Sequence, residues 1–273
     1  MESFIETIEL VKNRPAGDVK LCHIAPVKGD GSIGLFHYLN LFYGGTYQNR
    51  KFGRKYISGG LSIKNSELLR KWKVTSEMTN NEVLVMIERY LKGVISKYIE
   101  VCPVRKSKKI SVIEKIVSLD GSSKYDELIG YSYLSLQEKW EGICKLRSYV
   151  IQPVVESKYL AYVDGLTRFI SYGGERVSML KRLRKIMIVG YMALERVKRS
   201  HTYNKYFYVK YEPIIDQKYG QAMLKHADDW YVLKDIIYNC VFNVLQGDVI
   251  DVKEFRKRVM SYLVFPEKAH SVW

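Results

Sequence analysis

The chain has 273 residues, of which 47% are hydrophobic, and 44 Lys and Arg against 29 Asp and Glu give it a formal net charge of +15. This hydrophobic content is enough to bury the core of one large domain or of two modest ones, so the composition excludes a wholly disordered chain. A basic excess of this size indicates polyanionic partners and says little about the fold.

Cysteine usage and the N-terminus bear on the compartment. The four cysteines lie far apart with no C-x-x-C pair, and the first residues lack the cationic region of a secretory signal. These features predict reduced thiols and an intracellular protein, cytoplasmic or nuclear. The longest apolar stretch, residues 186–194, has about half of the roughly 20 residues that a membrane-spanning helix needs. No transmembrane segment is therefore expected.

A glycine pattern in the N-terminal region resembles a cofactor motif. Gly29, Gly31 and Gly34 match G-x-G-x-x-G and follow an apolar segment. The next acidic residue is Glu67, well beyond the roughly 20 residues at which a ribose-binding carboxylate would follow. We therefore predict a β-turn here and no dinucleotide cofactor.

The segment 45–60, GTYQNRKFGRKYISGG, combines four cations with three aromatic rings and has no acidic residue. Gly53 in its middle and glycine pairs at both ends disfavour a helix, so we predict an exposed hairpin or mobile loop. In an extended conformation cations would line both of its faces. The rings then either stack on the bases of a partner or fold back onto the protein, and we favour the partner.

Helical patterns dominate from Thr79 onward. Thr79 and Glu82 form a capping box before a predicted helix with one apolar stripe. The members of that stripe are Val83, Ile87, Tyr90, Val94 and Tyr98. A second capping pattern, from Ser135 to Glu138, precedes another helix with a buried face.

Three further helices are predicted toward the C-terminus. They begin at about residue 174, at about Gln217 and, capped by Asp251, near residue 252. Five helices with apolar stripes and short connections favour a bundle-like body. The predicted fold class is α+β, with a mixed N-terminal region that contains β-hairpin-like segments and a predominantly helical, bundle-like C-terminal region.

The predicted domain boundary lies near residue 120. A β-branched run at 110–119 is followed there by the turn signal DGSS. The boundary divides the chain into a mixed α/β region, 1–120, and a helical region, 121–273. One intertwined α+β domain is the alternative.

Basic clusters are the strongest functional signal. On a helix, Lys181, Arg182 and Lys185 share one face, while Leu180 and Leu183 turn toward the core. Any single cluster is explained equally well as a solvated surface, but rings beside cations recur along the chain, as single-stranded nucleic acid requires. The candidate nucleic-acid-binding residues are Arg50, Lys51, Phe52, Arg54, Lys55, Tyr56, Arg105, Lys106, Lys108, Lys109, Lys181, Arg182 and Lys185.

No motif of a catalytic or metal site accompanies these clusters. The sequence has no G-x-S-x-G, no H-E-x-x-H and no P-loop pattern. Cys22 and His23 are adjacent, so in a strand they would point to opposite faces, and we interpret Cys22 as a core residue. We predict no catalytic residues, no bound metal and no cofactor.

The sequence thus predicts a non-enzymatic, basic protein that binds RNA or single-stranded DNA mainly through phosphates. A viral nucleocapsid or matrix-type structural protein would fit this composition. The sequence is compatible with a homo-oligomer but does not determine the oligomeric state. A peripheral protein of an anionic membrane surface is one alternative. An enzyme on nucleic acid or nucleotides, with an active site assembled from residues distant in sequence, is the other.

Overall fold

The computed structural model describes residues 2–15, 17–102, 107–144, 158–197 and 221–265. The chain forms two compact units, one from Glu2–Lys73 together with Val154–Trp273 and the other from Val74–Pro153. This division differs from the boundary placed near residue 120, because the larger unit is discontinuous in sequence. The predicted α+β class is confirmed: small two-stranded antiparallel sheets occupy the N-terminal region, and the C-terminal part is mostly helical.

Most of the described strands precede residue 65, and helices dominate the rest of the described chain. The helices are α1 (Glu2–Lys12), α2 (Thr46–Phe52), α3 (Asn80–Tyr90), α4 (Val94–Val101), α5 (Lys108–Leu119), α6 (Tyr125–Leu128), α7 (Tyr133–Ile143), α8 (Lys158–Ser171), α9 (Val177–Val197), α10 (Trp230–Leu245) and α11 (Val252–Ser261). The strands are β1 (Val19–His23), β2 (Ser32–Gly34), β3 (Leu41–Gly45), β4 (Ser62–Lys64), β5 (Met223–Leu224) and β6 (Leu263–Val264).

Three antiparallel strand pairs, β1 with β3, β2 with β4 and β5 with β6, belong to the larger unit. Every residue of β3 is buried, because α8 and α10 both pack against this strand. Gly44 permits the approach of α10, since a Cβ at this position would lie 2.7 Å from Phe242 Cε2. The β1–β3 pair is therefore anchored in the core through β3, which fixes the positions of the chain segments that precede and follow the two strands.

An aromatic cluster forms the centre of the larger unit. Tyr159 lies 4.5 Å from Tyr191 and 4.7 Å from Tyr238 between ring centroids, and Phe42 lies 5.5 Å from Phe242. Tyr159, Tyr191 and Tyr238 thus pack in the core, and their rings are not available to a partner. Cys22 is buried in the same cluster, which confirms its predicted core role.

Several helix ends follow their predicted caps. The Thr79 hydroxyl accepts a hydrogen bond from the Glu82 amide, and the Glu82 carboxylate accepts one from the Thr79 amide at 2.7 Å. The predicted capping box is therefore confirmed. Asp251 accepts the amides of the first turn of α11, also as predicted. The N-cap of α7 is Ser132, however, and not Ser135, which lies one turn inside the helix.

Two other helices differ from their predictions. The helix predicted from Gln217 begins only at Trp230, because residues 223–224 form β5 and residues 227–229 a 3₁₀ turn, while Gln217 lies outside the described residues. The β-branched run at 110–119 belongs to α5, whose side chains at 112, 113 and 116 are buried against α7. Tertiary packing overrides weak helix propensity in that run.

The apolar stripe predicted from Val83 to Tyr98 is wrong as one continuous helix. The chain turns at Lys92 and Gly93, both at positive φ, and the Glu88 carboxylate accepts the amides of Ile95 and Ser96 at the start of α4. No residue of α3 is buried, and several of its apolar side chains are exposed. The expected core-facing stripe is therefore largely a surface feature of the smaller unit.

Candidate nucleic-acid interface

Residues 46–52 form α2, so the prediction of a hairpin or loop is wrong for this stretch. Gly53 does not interrupt the helix but ends it, because its φ of 65° suits the C-terminal turn and its N–H donates to the Asn49 carbonyl. Gln48 is buried, and its Nε2 donates to Asn239 Oδ1 at 3.3 Å. Anchoring to α10 thus stabilises a short helix that local sequence disfavours.

Phe52 lies on the protein-facing side of α2. Its ring makes an edge contact with Phe242 at 5.6 Å between centroids and packs against the main core. This packing holds one face of α2 against the body of the larger unit. Of the ring residues in this segment, Tyr47 and Tyr56 are the exposed ones.

The outer face of α2 and the residues after it are strongly basic. Arg50, Lys51, Arg54 and Lys55 are all exposed. Lys51 Nζ lies 5.9 Å from the centroid of the Tyr47 ring. No acidic residue occurs between Asp30 and Glu67, although this stretch contains five cations. We call residues 47–56 the cationic segment.

The chain beyond the cationic segment is fixed to the body of the larger unit. Ser58 Oγ donates to the Gly247 carbonyl at 2.8 Å, just after α10. The fully buried Asn40 then connects three stretches of chain, because its Oδ1 accepts the amides of Ala25 and Leu61 and its Nδ2 donates to the carbonyls of Ala25 and Leu35. These bonds hold residues 23–28 beside the cationic segment.

A cavity of about 290 Å³ lies between these two stretches. The charged side chains around it are Lys28, Arg54 and Lys55, all exposed. Two of the lining residues, Cys22 and Gln246, are buried, with 1% and 2% of their surface exposed. The remaining lining residues are Leu21, His23, Pro26, Val27, Asn49, Phe52 and Gly53. The cavity is thus bordered by three exposed cations and lined by both polar and apolar side chains.

Burial shifts the pKa values of two side chains that line the cavity. Desolvation lowers the pKa of His23 below its usual value, so the imidazole is neutral at pH 7. Burial raises the pKa of the Cys22 thiol to about 12, so this side chain is not an activated nucleophile. The positive charge of the site therefore comes from Lys28, Arg54 and Lys55.

The basic cluster on α9 is arranged as its helical spacing predicted. Lys181, Arg182 and Lys185 are exposed, while Leu180 and Leu183 are buried. The neighbouring Arg184 is half-buried instead, and its Nη1 donates to Thr167 Oγ1 of α8 at 2.9 Å. Three of the four cations in this run are therefore accessible to a partner.

The third predicted cluster belongs to the smaller unit. Lys108 and Lys109 lie in the first turn of α5, where the positive end of the helix dipole disfavours cations. Lys109 Nζ donates to the Ile129 carbonyl at 2.5 Å, which offsets part of that cost. Arg105 and Lys106 lie outside the described residues.

The glycine motif and the possible metal ligands have structural explanations. Gly29 donates its N–H to the Ser32 carbonyl as the chain enters β2, and a 3₁₀ turn follows at 38–40, where a dinucleotide site would need a long helix. Across the described parts of the chain, no group of three or more His, Cys, Asp and Glu side chains could hold a metal ion. The cavity residues His23, Lys28, Asn49 and Gln246 were not predicted, since they come from three separate stretches of the chain and share no motif.

Comparison with protein-family models, with curated proteins and with solved structures finds no match for this chain. Within the residues that the structure describes, no helix is both long enough and apolar enough to span a bilayer.

Proposed function

We propose that the protein binds single-stranded nucleic acid, RNA or DNA, mainly through its phosphates, and that the cationic segment carries this contact. The observation that supports it most is the set of four exposed cations on and after α2 with no acidic residue nearby in sequence. Unpaired surface cations repel one another, and a polyanion relieves that repulsion. Each phosphate contact also releases condensed counterions.

The aromatic rings favour a single strand over a duplex. Tyr47 and Tyr56 are 58% and 53% exposed, so both rings have a face available to a base. Unpaired bases stack on such rings, while a duplex keeps its bases within its own stack. Phe52 contributes by orienting α2, since its ring packs against the core.

A salt titration tests this proposal. A fluorescent single-stranded RNA should bind tightly at low salt, and the logarithm of its association constant should fall by about 0.7 per phosphate contact per tenfold increase in salt. Replacing Arg50, Lys51, Arg54 and Lys55 with Gln should weaken binding and reduce that slope by up to roughly 3. No binding at low salt, or binding that salt does not change, would contradict the proposal.

A matched control separates position from net charge. Four cations are exposed on α11, and replacing them with Gln also removes four positive charges. They are Lys253, Arg256, Lys257 and Arg258. We expect this control to lose less affinity than the α2 variant. Equal losses would show that only net charge matters and would remove the assignment to the cationic segment.

An anionic membrane surface is the second candidate, and one observation favours it. Leu84, Val85 and Ile87 on α3 are exposed, with Arg89 and Lys92 close by in the smaller unit. An apolar helix face flanked by cations is typical of interfacial helices. If anionic vesicles bind the protein and changing Leu84 and Val85 to Ser abolishes this without affecting RNA binding, the membrane function gains support.

A further inference from the structure

Three cations line the cavity beside the cationic segment without an acidic partner. Lys28, Arg54 and Lys55 are all lining residues, and all are exposed. The lining contains no Asp or Glu, and within the described parts of the chain none of the three cations forms an ion pair with a carboxylate. Asp30, the acidic residue closest to Lys28 in sequence, is exposed and lies outside the lining. The described residues therefore leave the positive charge at this cavity unneutralised.

The surroundings of the three cations strengthen their attraction for an anion. Pro26, Val27 and Phe52 contribute apolar surface to the same cavity. His23 also lines it, and burial lowers the pKa of this side chain, so the imidazole is neutral at pH 7. Charges of one sign beside apolar, low-dielectric walls concentrate the electrostatic potential in a cleft. An anion in the cavity should therefore interact more strongly with these cations than an anion on an open surface would.

The size of the cavity restricts the anion to a small group. Its volume of about 290 Å³ lies at the lower end of the roughly 300 to 1,000 Å³ of ligand sites. An internal phosphodiester of a strand is linked to a sugar on both sides and carries a single charge. A terminal phosphomonoester is linked on one side only and carries about −1.5 to −2 at pH 7. The terminal group therefore enters a small cavity more readily, and its charge matches three cations better.

We propose that this cavity binds the terminal phosphomonoester of a nucleotide, with the phosphate oxygens held by Lys28, Arg54 and Lys55. A guanidinium presents a planar fork of donors that can bind two phosphate oxygens, and each ammonium group adds a compact positive charge. Such a phosphate occurs at the end of a nucleic-acid strand and on a free mononucleotide. The inference rests on the proposed function, because Arg54 and Lys55 also belong to the cationic segment.

Ligands that differ only in one terminal phosphate test both sources. The first arm uses a ten-residue oligouridine with an internal fluorescent label, prepared with a 5′-phosphate, with a 3′-phosphate or with hydroxyls at both ends. We expect the native protein to bind one phosphorylated form roughly tenfold more tightly than the hydroxyl form, because hydrogen bonds to a charged group are the stronger ones. The second arm compares uridine 5′-monophosphate with uridine by calorimetry.

A preference for a phosphorylated form in the first arm identifies the end of a strand as the ligand. A preference in the second arm alone identifies a free nucleotide. Equal binding within both arms overturns the phosphate site. If the oligomers nevertheless bind with a steep salt dependence, the proposed function stands; if no ligand binds, both proposals fail.

Two matched pairs of variants locate the phosphate. Arg54→Gln should reduce the preference for the phosphorylated ligand severalfold, whereas Arg50→Gln should weaken both forms by the same factor, because Arg50 belongs to the cationic segment but does not line the cavity. Lys28→Gln should also reduce the preference, and Lys20→Gln, at an exposed position of β1 outside the lining, should preserve it. All four side chains are exposed, so each variant should fold, and circular dichroism checks this. If Arg54→Gln and Lys28→Gln both keep the native preference, the phosphate binds elsewhere and the site is overturned.

Discussion

Asn40 offers the sharpest test of how the fold supports the site. The side chain is fully buried and makes four hydrogen bonds to backbone groups of three separate stretches. Replacement by Ala leaves two amides and two carbonyls without these partners. The bonds to Ala25 are buried at both ends, and the other two are partly buried.

The expected loss follows from those burial differences. A buried group left without a partner costs about 1 to 3 kcal/mol, and a partly buried one costs less because water can replace the bond. The two groups of Ala25 therefore dominate, and we expect Asn40→Ala to lower the free energy of unfolding by about 3 to 5 kcal/mol.

Urea unfolding monitored by circular dichroism measures this change, with Asn13→Ala as the control. Asn13 is exposed just after α1, and its replacement should change stability by less than about 0.5 kcal/mol. A loss below about 1 kcal/mol for Asn40→Ala would refute the reasoning, because it would mean that the four groups find other partners or are not buried.

Asn40→Asp adds a pH dependence to the same test. The carboxylate would keep the two amide donors but would face the carbonyls of Ala25 and Leu35, so burial should raise its pKa above the usual value of about 3.9. A raised folded-state pKa means that the stabilising, protonated form is lost as pH rises through it. The deficit relative to the native protein should therefore shrink as the pH falls from 7 toward 4.

Three other outcomes are expected. Phe52→Ala should lower the free energy of unfolding by about 2 to 4 kcal/mol, whereas Tyr47→Ala, on the exposed face of α2, should change it little. Thermal melts measure both changes, and equal effects would contradict the packing of Phe52 against the core. Native-state alkylation at pH 8, followed by mass spectrometry, should modify the exposed Cys102 well before Cys22, because burial raises the pKa of the Cys22 thiol to about 12. Early labelling of Cys22 would show that β1 is open to the reagent. Thr79→Ala removes a cap and should cost about 1 kcal/mol in urea unfolding, and a neutral result would mean that the start of α3 frays.

The sequence by itself determined the features that depend on neighbours close along the chain. A capping box needs only Thr79 and Glu82 three residues apart, and the cap at Asp251 is equally local, so both were predictable. The exposure of Lys181, Arg182 and Lys185 followed from helical spacing, because a helix with Leu180 and Leu183 inside must turn those cations outward. The charge excess could be read from composition, although composition does not place it on a surface.

Tertiary structure decided what depends on residues far apart in sequence. Residues 46–52 form a helix because Gln48 and Phe52 gain partners on α10, about 190 residues away, and those contacts outweigh the unfavourable local glycines. The apolar stripe of α3 is exposed because no described element buries it, and periodicity cannot indicate whether a partner helix is present. The cavity forms where β1, the turn after it, the end of α2 and Gln246 lie close together in space. A local sequence pattern cannot indicate that such distant segments are neighbours.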